Sequence, residues 1–341
     1  MGIIWKGVEK IMQNYLLHVI KTKVTTLKGF LTLITVLIAF VLPIFVKDPY
    51  IIHILILGYI FGGLAASYDI LSGYAGVLSF GPSAFFGLGA YTSALLSIYF
   101  NVSPYVSIFL GALLASVFGL IAALPCLRLK LFAYTAIATW GLAEILRVIF
   151  AQWVEVTRGY LGLWGIPTFP SFNFFGVTIS FEAGSVSYYY FCLLLLLTNL
   201  AAMYRIVNST IGLKFIAIRD DDLAAMSIGI NVNRTKYLAF FIHGLTSGIL
   251  GAFFAHYMRI LTPDVFSITV STQIFAYELI GGAGTLIGPV LAGIFIILIS
   301  EGLRIVGIVR LILIGFLIIV VIMVSPRGLV GIYEKLKKSF K

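Results

Sequence analysis

The sequence predicts an all-α fold, a polytopic transmembrane helical bundle of about ten spans with both termini cytoplasmic and with Gly-rich broken helices. Three observations carry that prediction. The 341 residues are 61% hydrophobic and only 11% charged, with a mean hydropathy of +1.09, where soluble chains run near 45–50% apolar and about 25% charged. Residues 70–127 carry no charge at all, and uncharged runs of helix-spanning length recur, matching the roughly 20 apolar residues that a hydrocarbon core of about 30 Å requires. The runs are continuously apolar and do not alternate, which favours helices over a barrel. A soluble enzyme, a nucleic-acid binder and a disordered scaffold are excluded on these grounds.

The elements follow in order. Residues 1–28 form a basic, amphipathic N-terminal segment, with Lys6, Lys10, Lys21, Lys23 and Lys28, placed on the cytoplasmic membrane surface. The apolar runs lie near 29–46, 50–71, 83–100, 104–126, 131–154, 187–204, 237–258, 265–281, 284–300 and 309–324, so the permeating region is 29–324. The run 265–281 is short and carries Thr269, Ser271, Thr272, Gln273 and Glu278, which also fits a re-entrant arm. The loop 205–236 is cytoplasmic, the loop 155–186 is extracytoplasmic, and 325–341 is a basic cytoplasmic tail.

Charge supports that orientation. Of the 23 Lys and Arg, 17 fall in segments assigned to the cytoplasm, five fall outside, and Arg147 alone lies deep in a span. Positive charge concentrates on the cytoplasmic side of membrane proteins. The net charge of +10 is thereby explained by orientation, and nucleic acid is not needed. Cys126 and Cys192 both fall in spans and read as buried free thiols.

Catalytic patterns are missing from the sequence. It contains no G-x-x-x-x-G-K-[ST], no H-E-x-x-H and no G-x-S-x-G, and its four histidines lack metal-ligand spacing. Function is therefore expected in transport, pore formation or assembly. Three features stand out. The stretch 71–94 holds Gly73, Gly76, Gly81, Gly87 and Gly89 with Pro82. Such a broken helix at membrane depth belongs either at a substrate path or at close helix contacts through small residues. A second stretch, Gly281-Gly-Ala-Gly-Thr-Leu-Ile-Gly-Pro289, shares the pattern G-x-x-G-x-L followed by Gly-Pro, with one residue of offset. Candidate path residues are Gly76, Ser79, Phe80, Gly81, Ser83, Tyr91, Gly281, Gly282 and Gly284.

The second feature is intramembrane charge. Glu144 and Arg147 stand i, i+3 on one helix and read as a structural pair in preference to a substrate contact. Glu278 is the other deep acid, and Asp69 falls near the cytoplasmic end of its span. The third feature is the cytoplasmic loop 211–236. There Asp220, Asp221 and Asp222 precede Leu223, Ala224, Ala225 and Met226, and Gly229 follows, the signature of a short helix with an acidic N-terminus. Its small alanines suit close approach by another protein.

This loop, with its acidic residue, Ala-Ala and Gly four residues on, resembles the coupling helix of ABC importer permeases. The fuller string from Ala217-Ile-Arg219 through Gly229-Ile-Asn-Val232 resembles the LivM-type permease subunits of branched-chain amino acid importers. So do residues 73–81, 85–92, 136–139 with 144–147, 281–289 and 325–331, in that order. Two positions depart from the family pattern: Pro82 stands where His is typical, and Thr157-Arg158-Gly159 replaces Thr-Gly-Gly. The resemblance implies a non-enzymatic subunit of the prokaryotic plasma membrane with no cofactor of its own. ATP and Mg would sit on two cytoplasmic ABC ATPases. Its other partners would be a second homologous permease subunit, forming a heterodimer, an extracytoplasmic solute-binding protein, and membrane lipid. Coupling would fall on Arg219, Asp220, Asp221, Asp222, Leu223, Ala224, Ala225 and Gly229. The cargo would be branched-chain or other small amino acids, or a related amide such as urea. The alternative is an ion- or proton-coupled carrier or channel using Glu278 and Glu144/Arg147.

Overall fold

The structure, a computed structural model, describes residues 27–46, 48–128, 132–174, 177–182, 184–307, 309–325 and 328. The N-terminal segment as far as residue 26 and the tail beyond 328 lie outside the described residues. So do Lys47, Lys130 and Arg327.

The described chain is almost entirely α-helical. The first helix, α1 (Leu27–Phe45), contains Pro43 and belongs to a separate compact unit ending at Asp48. It exposes Leu37, Ile38, Ile44 and Phe45.

From Pro49 onward the helices are α2 (Pro49–Asp69), α3 (Pro82–Tyr99), α4 (Pro104–Arg128), α5 (Phe132–Gln152), the single turn α6 (Val154–Thr157), α7 (Val186–Val207), α8 (Thr210–Asp220), α9 (Asp222–Ser227), α10 (Val232–Met258), α11 (Ile268–Gly281), α12 (Ile287–Gly302) and α13 (Val309–Val324). Three of them open on proline, Pro49, Pro82 and Pro104. Proline lacks only a donor that the first turn leaves unpaired and presets the helical φ. Others open on a side-chain cap. Ser185 Oγ accepts the Tyr188 N–H at 3.3 Å, Ser209 Oγ accepts that of Ile211 at 3.1 Å, and Asn231 Oδ1 accepts that of Arg234 at 3.0 Å.

All ten expected apolar runs are helices, but length and composition separate them. Among the described residues, six stretches are long and apolar enough to cross a membrane: Pro49–Tyr74, Pro104–Leu127, Ala133–Gln152, Val186–Val207, Val232–Met258 and Ile287–Val306. At 14 residues, α11 measures about 21 Å, short of the roughly 30 Å core. Of the ten expected spans, six meet this criterion among the described residues.

The core forms around α2 and α10, whose membrane-length stretches are each 72% buried. Helix α10 packs on α3 and α4, and α2 packs on α12 and α7. Small residues permit the closest crossing: a Cβ on Gly89 of α3 would fall on the carbonyl of Gly248 in α10. Aromatic rings fill the wider gaps, with His243 edge-on to Phe85 at 4.9 Å and Tyr91 stacked on Phe266 at 5.6 Å.

The segment expected as one long loop, 155–186, holds short strands that sequence reading missed. These are β1 (Leu163–Trp164), β2 (Phe172–Phe174) and β3 (Val177–Ile179). β1 pairs antiparallel with β4 (Ile260–Leu261) through Leu163↔Leu261 and Trp164↔Ile260, while β2 pairs with β3. Buried His256 fixes this segment to the helices. Its Nδ1 lies 2.7 Å from the Pro167 carbonyl and its Nε2 2.8 Å from the Ser93 hydroxyl. Cys126 and Cys192 are buried free thiols.

Candidate coupling junction

Three sequence features that lie far apart in the chain meet at one place. They are the first glycine-rich break, the second, and the last turn of α8. Helix α2 does not stop cleanly at Asp69. It widens into one π turn, Ile70–Tyr74, and then runs without regular secondary structure to Pro82. Such turns are frequent at functional sites. Gly76 holds φ at +69° beside Arg219, a conformation that side chains other than glycine's resist.

Asp69 organises the junction. It is fully buried, and its carboxylate reaches across to the second break. Oδ1 accepts the Gly284 N–H at 2.5 Å and Oδ2 accepts the Leu286 N–H at 2.8 Å. These N–H groups lie in the segment that leads into α12, so Asp69 pins the approach to α12 from another helix. A carboxylate beside a helix start also complements the helix dipole. Glu278, buried at the end of α11, places its carboxyl against that of Asp69 and receives the Ser72 hydroxyl. Gly73 separates the two breaks with no space to spare: a Cβ there would overlap both the Asp69 carboxylate and the Gly284 nitrogen.

Arg219 ties the loop to this assembly. Its Nη1 donates to the Gly73 carbonyl at 3.0 Å, while Nε and Nη2 hold Asp220 Oδ1 at 3.2 and 3.1 Å. The three consecutive acids divide their work. Asp220 orients Arg219. Asp221 caps α9, accepting the N–H groups of Leu223 at 2.7 Å and Ala224 at 3.0 Å. Asp222 pairs with Lys236 of α10 at 2.5 Å. Helix α9 is therefore anchored twice at its N-terminal end, to the π turn through α8 and to α10 through the Asp222–Lys236 pair.

What α9 presents is apolar. Leu223 is 73% exposed, Met226 50% and Ile228 75%. The two alanines point apart: Ala224 is exposed and Ala225 is buried. Ala225 closes the turn internally, its N–H donating to the Asp221 carbonyl and its carbonyl accepting the Ile230 N–H, each at 3.0 Å. Beside it an open groove is lined by Met226, Gly229, Ile230, Asn231, Val232 and Asn233, with Gly229 at φ +86°.

The candidate path residues separate into two groups. Gly76, Gly281, Gly282 and Gly284 belong to the junction. Ser79, Phe80, Gly81, Ser83 and Tyr91 are occupied with helix packing. The Ser79 N–H donates to the Tyr68 hydroxyl at 3.2 Å, and its Oγ accepts the Gly81 N–H at 3.1 Å. The Phe80 N–H donates to Thr139 at 3.0 Å. The Ser83 Oγ donates to the Phe266 carbonyl at 2.9 Å. Tyr91 is buried among Phe150 and Phe266. Glu144 and Arg147 form their expected pair on α5, away from the junction. Sequence reading placed Asp69 in its span without giving it a role, and gave none to Ser72 or Thr139. Asp69 did leave a signal, as an acid within a span four residues before Gly73.

A family model described as "Branched-chain amino acid transport system / permease component" matches residues 50–322, which include α2, both breaks and α8–α9. The chain belongs to this family. Among named relatives, the high-affinity branched-chain amino acid transport system permease protein LivM of Escherichia coli is 28% identical over 322 residues, spanning 89% of this chain and 76% of that protein. The LivM protein of Salmonella typhimurium is also 28% identical, over 78% of this chain and 66% of its own length. A nucleoside ABC transporter permease protein of Lactococcus lactis, NupC, is 22% identical over 54% of this chain and 61% of its own. No solved structure matches the chain. The family is one of membrane-embedded transporter components, and the six membrane-length helices accord with that.

Proposed function

We propose that this chain is one transmembrane subunit of an ATP-driven importer of branched-chain or other small amino acids in a prokaryotic plasma membrane. In this reading it crosses the membrane ten times, with residues 1–28, 205–236 and 325–341 in the cytoplasm. It pairs with a second homologous permease. Two cytoplasmic ATPases, which carry the ATP and Mg, seat on the apolar face of α9, and a solute-binding protein docks on 155–186.

The observation that supports the reading is the Arg219–Gly73 hydrogen bond. An ATPase pressing on Leu223, Met226 and Ile228 moves α9, whose first turn Asp221 caps, and α8 directly before it moves with it. Arg219 then shifts the π turn, and through Gly73 and Asp69 the start of α12 shifts with it. Both breaks are displaced by one input. Irregular backbone of this kind, with fewer helical bonds to hold it, is where a bundle yields.

Uptake in proteoliposomes tests this. With the partner subunits and ATP, labelled leucine accumulates and guanosine does not compete. Undiminished uptake when the ATPases are omitted would instead establish a secondary carrier, and import of guanosine alone would reassign the cargo.

A further inference from the structure

Among the helices that leave wide faces open, α4 and α5 differ in charge. On α4 the open stripe is Phe109, Leu113, Val117, Leu120 and Leu124, all apolar, as hydrocarbon accepts. The membrane-length part of α5 is only 22% buried and also exposes Ile137, Trp140, Ile145 and Ile149, yet it carries an ion pair. The Glu144 and Arg147 side chains keep 38% and 29% of their surface exposed. Arg147 Nε lies 3.0 and 2.9 Å from the two Glu144 oxygens, Nη2 lies 2.5 Å from Oε1, and Nη1 donates to the Tyr160 hydroxyl at 2.6 Å. Gly141 and Val148 stand one turn to either side of Glu144. No atom lies within 4 Å of where a Gly141 Cβ would be, and Val148 is 48% exposed. Charged groups in the middle of a span cost about 2.5–3.5 kcal/mol each on insertion scales, and they face protein or a water-filled cavity.

We infer that the open face of α5 borders the aqueous transport path, and that the Glu144–Arg147 pair is a binding site for a small zwitterion. Arg147 takes the carboxylate and Glu144 the ammonium. This rests on the amino acid reading above and adds the site to it. The exchange is balanced: a zwitterion inserting between the two side chains replaces one ion pair by two, and the net charge of the path does not change. The planar guanidinium suits two-point binding of a carboxylate. A neutral nucleoside or amide offers no such exchange and is disfavoured. The apolar stripe of α4, by contrast, faces lipid.

Cysteine labelling of the complete complex tests the site. Gly141→Cys and Val148→Cys on α5 are compared with Leu113→Cys and Val117→Cys on α4, using a charged, membrane-impermeant methanethiosulfonate. Cys126 and Cys192, at 5% and 0% exposure, give a silent background. The expected result is rapid modification at 141 and 148, slowed roughly tenfold by leucine at ten times its Kd, and none at 113 or 117. Modification at 141 and 148 no faster than at 113 would overturn the proposal, as would modification that leucine does not slow. A second reading is Arg147→Lys, which keeps the charge but loses the planar fork. It should raise the leucine KM roughly tenfold with the amount of assembled complex unchanged. An unchanged KM also overturns the site. A wild-type complex that imports leucine while failing these tests loses only this proposal; one that imports no amino acid loses the proposed function instead.

Discussion

The two glycine-rich breaks share a pattern and solve the same problem differently. Aligned on G-x-x-G-x-L, Gly76 and Gly284 occupy the same place, and both take positive φ, at +69° and +78°. Each break then delivers its Gly-Pro to the first turn of a helix, α3 or α12. The first break has one residue more before its Gly-Pro. Its backbone groups find nearby partners, in Tyr68, Ser79 and Thr139. The second is shorter and forces Leu286 to φ +56°, a conformation that costs a non-glycine residue roughly 1–3 kcal/mol. It is held there from outside by Asp69. The lesson is one of dependence: the longer break combines its own Ser79 with Thr139 of α5 and Arg219 of α8, and the shorter one needs a carboxylate lent by the helix leading into the longer one. The pair therefore moves together.

Asp69→Ala breaks this comparison most severely. It strips the acceptor from two N–H groups at about 1–3 kcal/mol each, so a loss of roughly 3 kcal/mol or more is expected. Thermal unfolding of the purified chain in detergent measures the loss, and hydrogen exchange should rise in 282–288 well before 75–81. Asp69→Asn, which keeps a carbonyl acceptor, should recover part of it. Next comes Gly73→Ala, whose methyl overlaps the Asp69 carboxylate and Gly284 and should cost about 1–3 kcal/mol. It should raise exchange in both breaks. Gly281→Ala meets Gly288 and Pro289 first and should disturb the second break alone. Equal exchange patterns from the two variants would show that the breaks are not linked through Gly73. Smallest is Asp221→Ala, outside both breaks, which removes the α9 cap for about 1 kcal/mol. It should loosen residues 222–227 and leave both breaks unchanged by the same exchange measurement.

Local signals carried much of this in the sequence. Apolar runs located every long helix, because the hydrocarbon length imposes a minimum on each of them. The acidic triplet and Gly229 located α9, because capping chemistry is local. The series of short motifs placed the chain in its family. Asp69 was legible as a span acid, but its role was not, because its partners, Gly284 and Leu286, lie more than two hundred residues away and donate from backbone, which leaves no side-chain pattern. The alanine pair was legible as a helix but not as two faces, since burial of Ala225 depends on the turn through Ile230. Ser79, Ser83 and Tyr91 looked like cavity-lining groups by type. In the structure their neighbours are Tyr68 on α2, Phe150 on α5, Ser271 on α11 and Phe266, contacts that no local pattern announces. The strands at 163–164 and 260–261 are two residues each and pair across the chain, too short for any periodicity to show.

The central claim is that Arg219 transmits the motion of α8–α9 to both breaks. The direct test is the ratio of leucine transported to ATP hydrolysed in the reconstituted complex, for the wild type and Arg219→Ala. Loss of the Gly73 bond should leave hydrolysis in place and lower the ratio roughly fivefold or more, the effect of about 1 kcal/mol of coupling. A ratio unchanged in Arg219→Ala, with the complex fully assembled, would contradict the account.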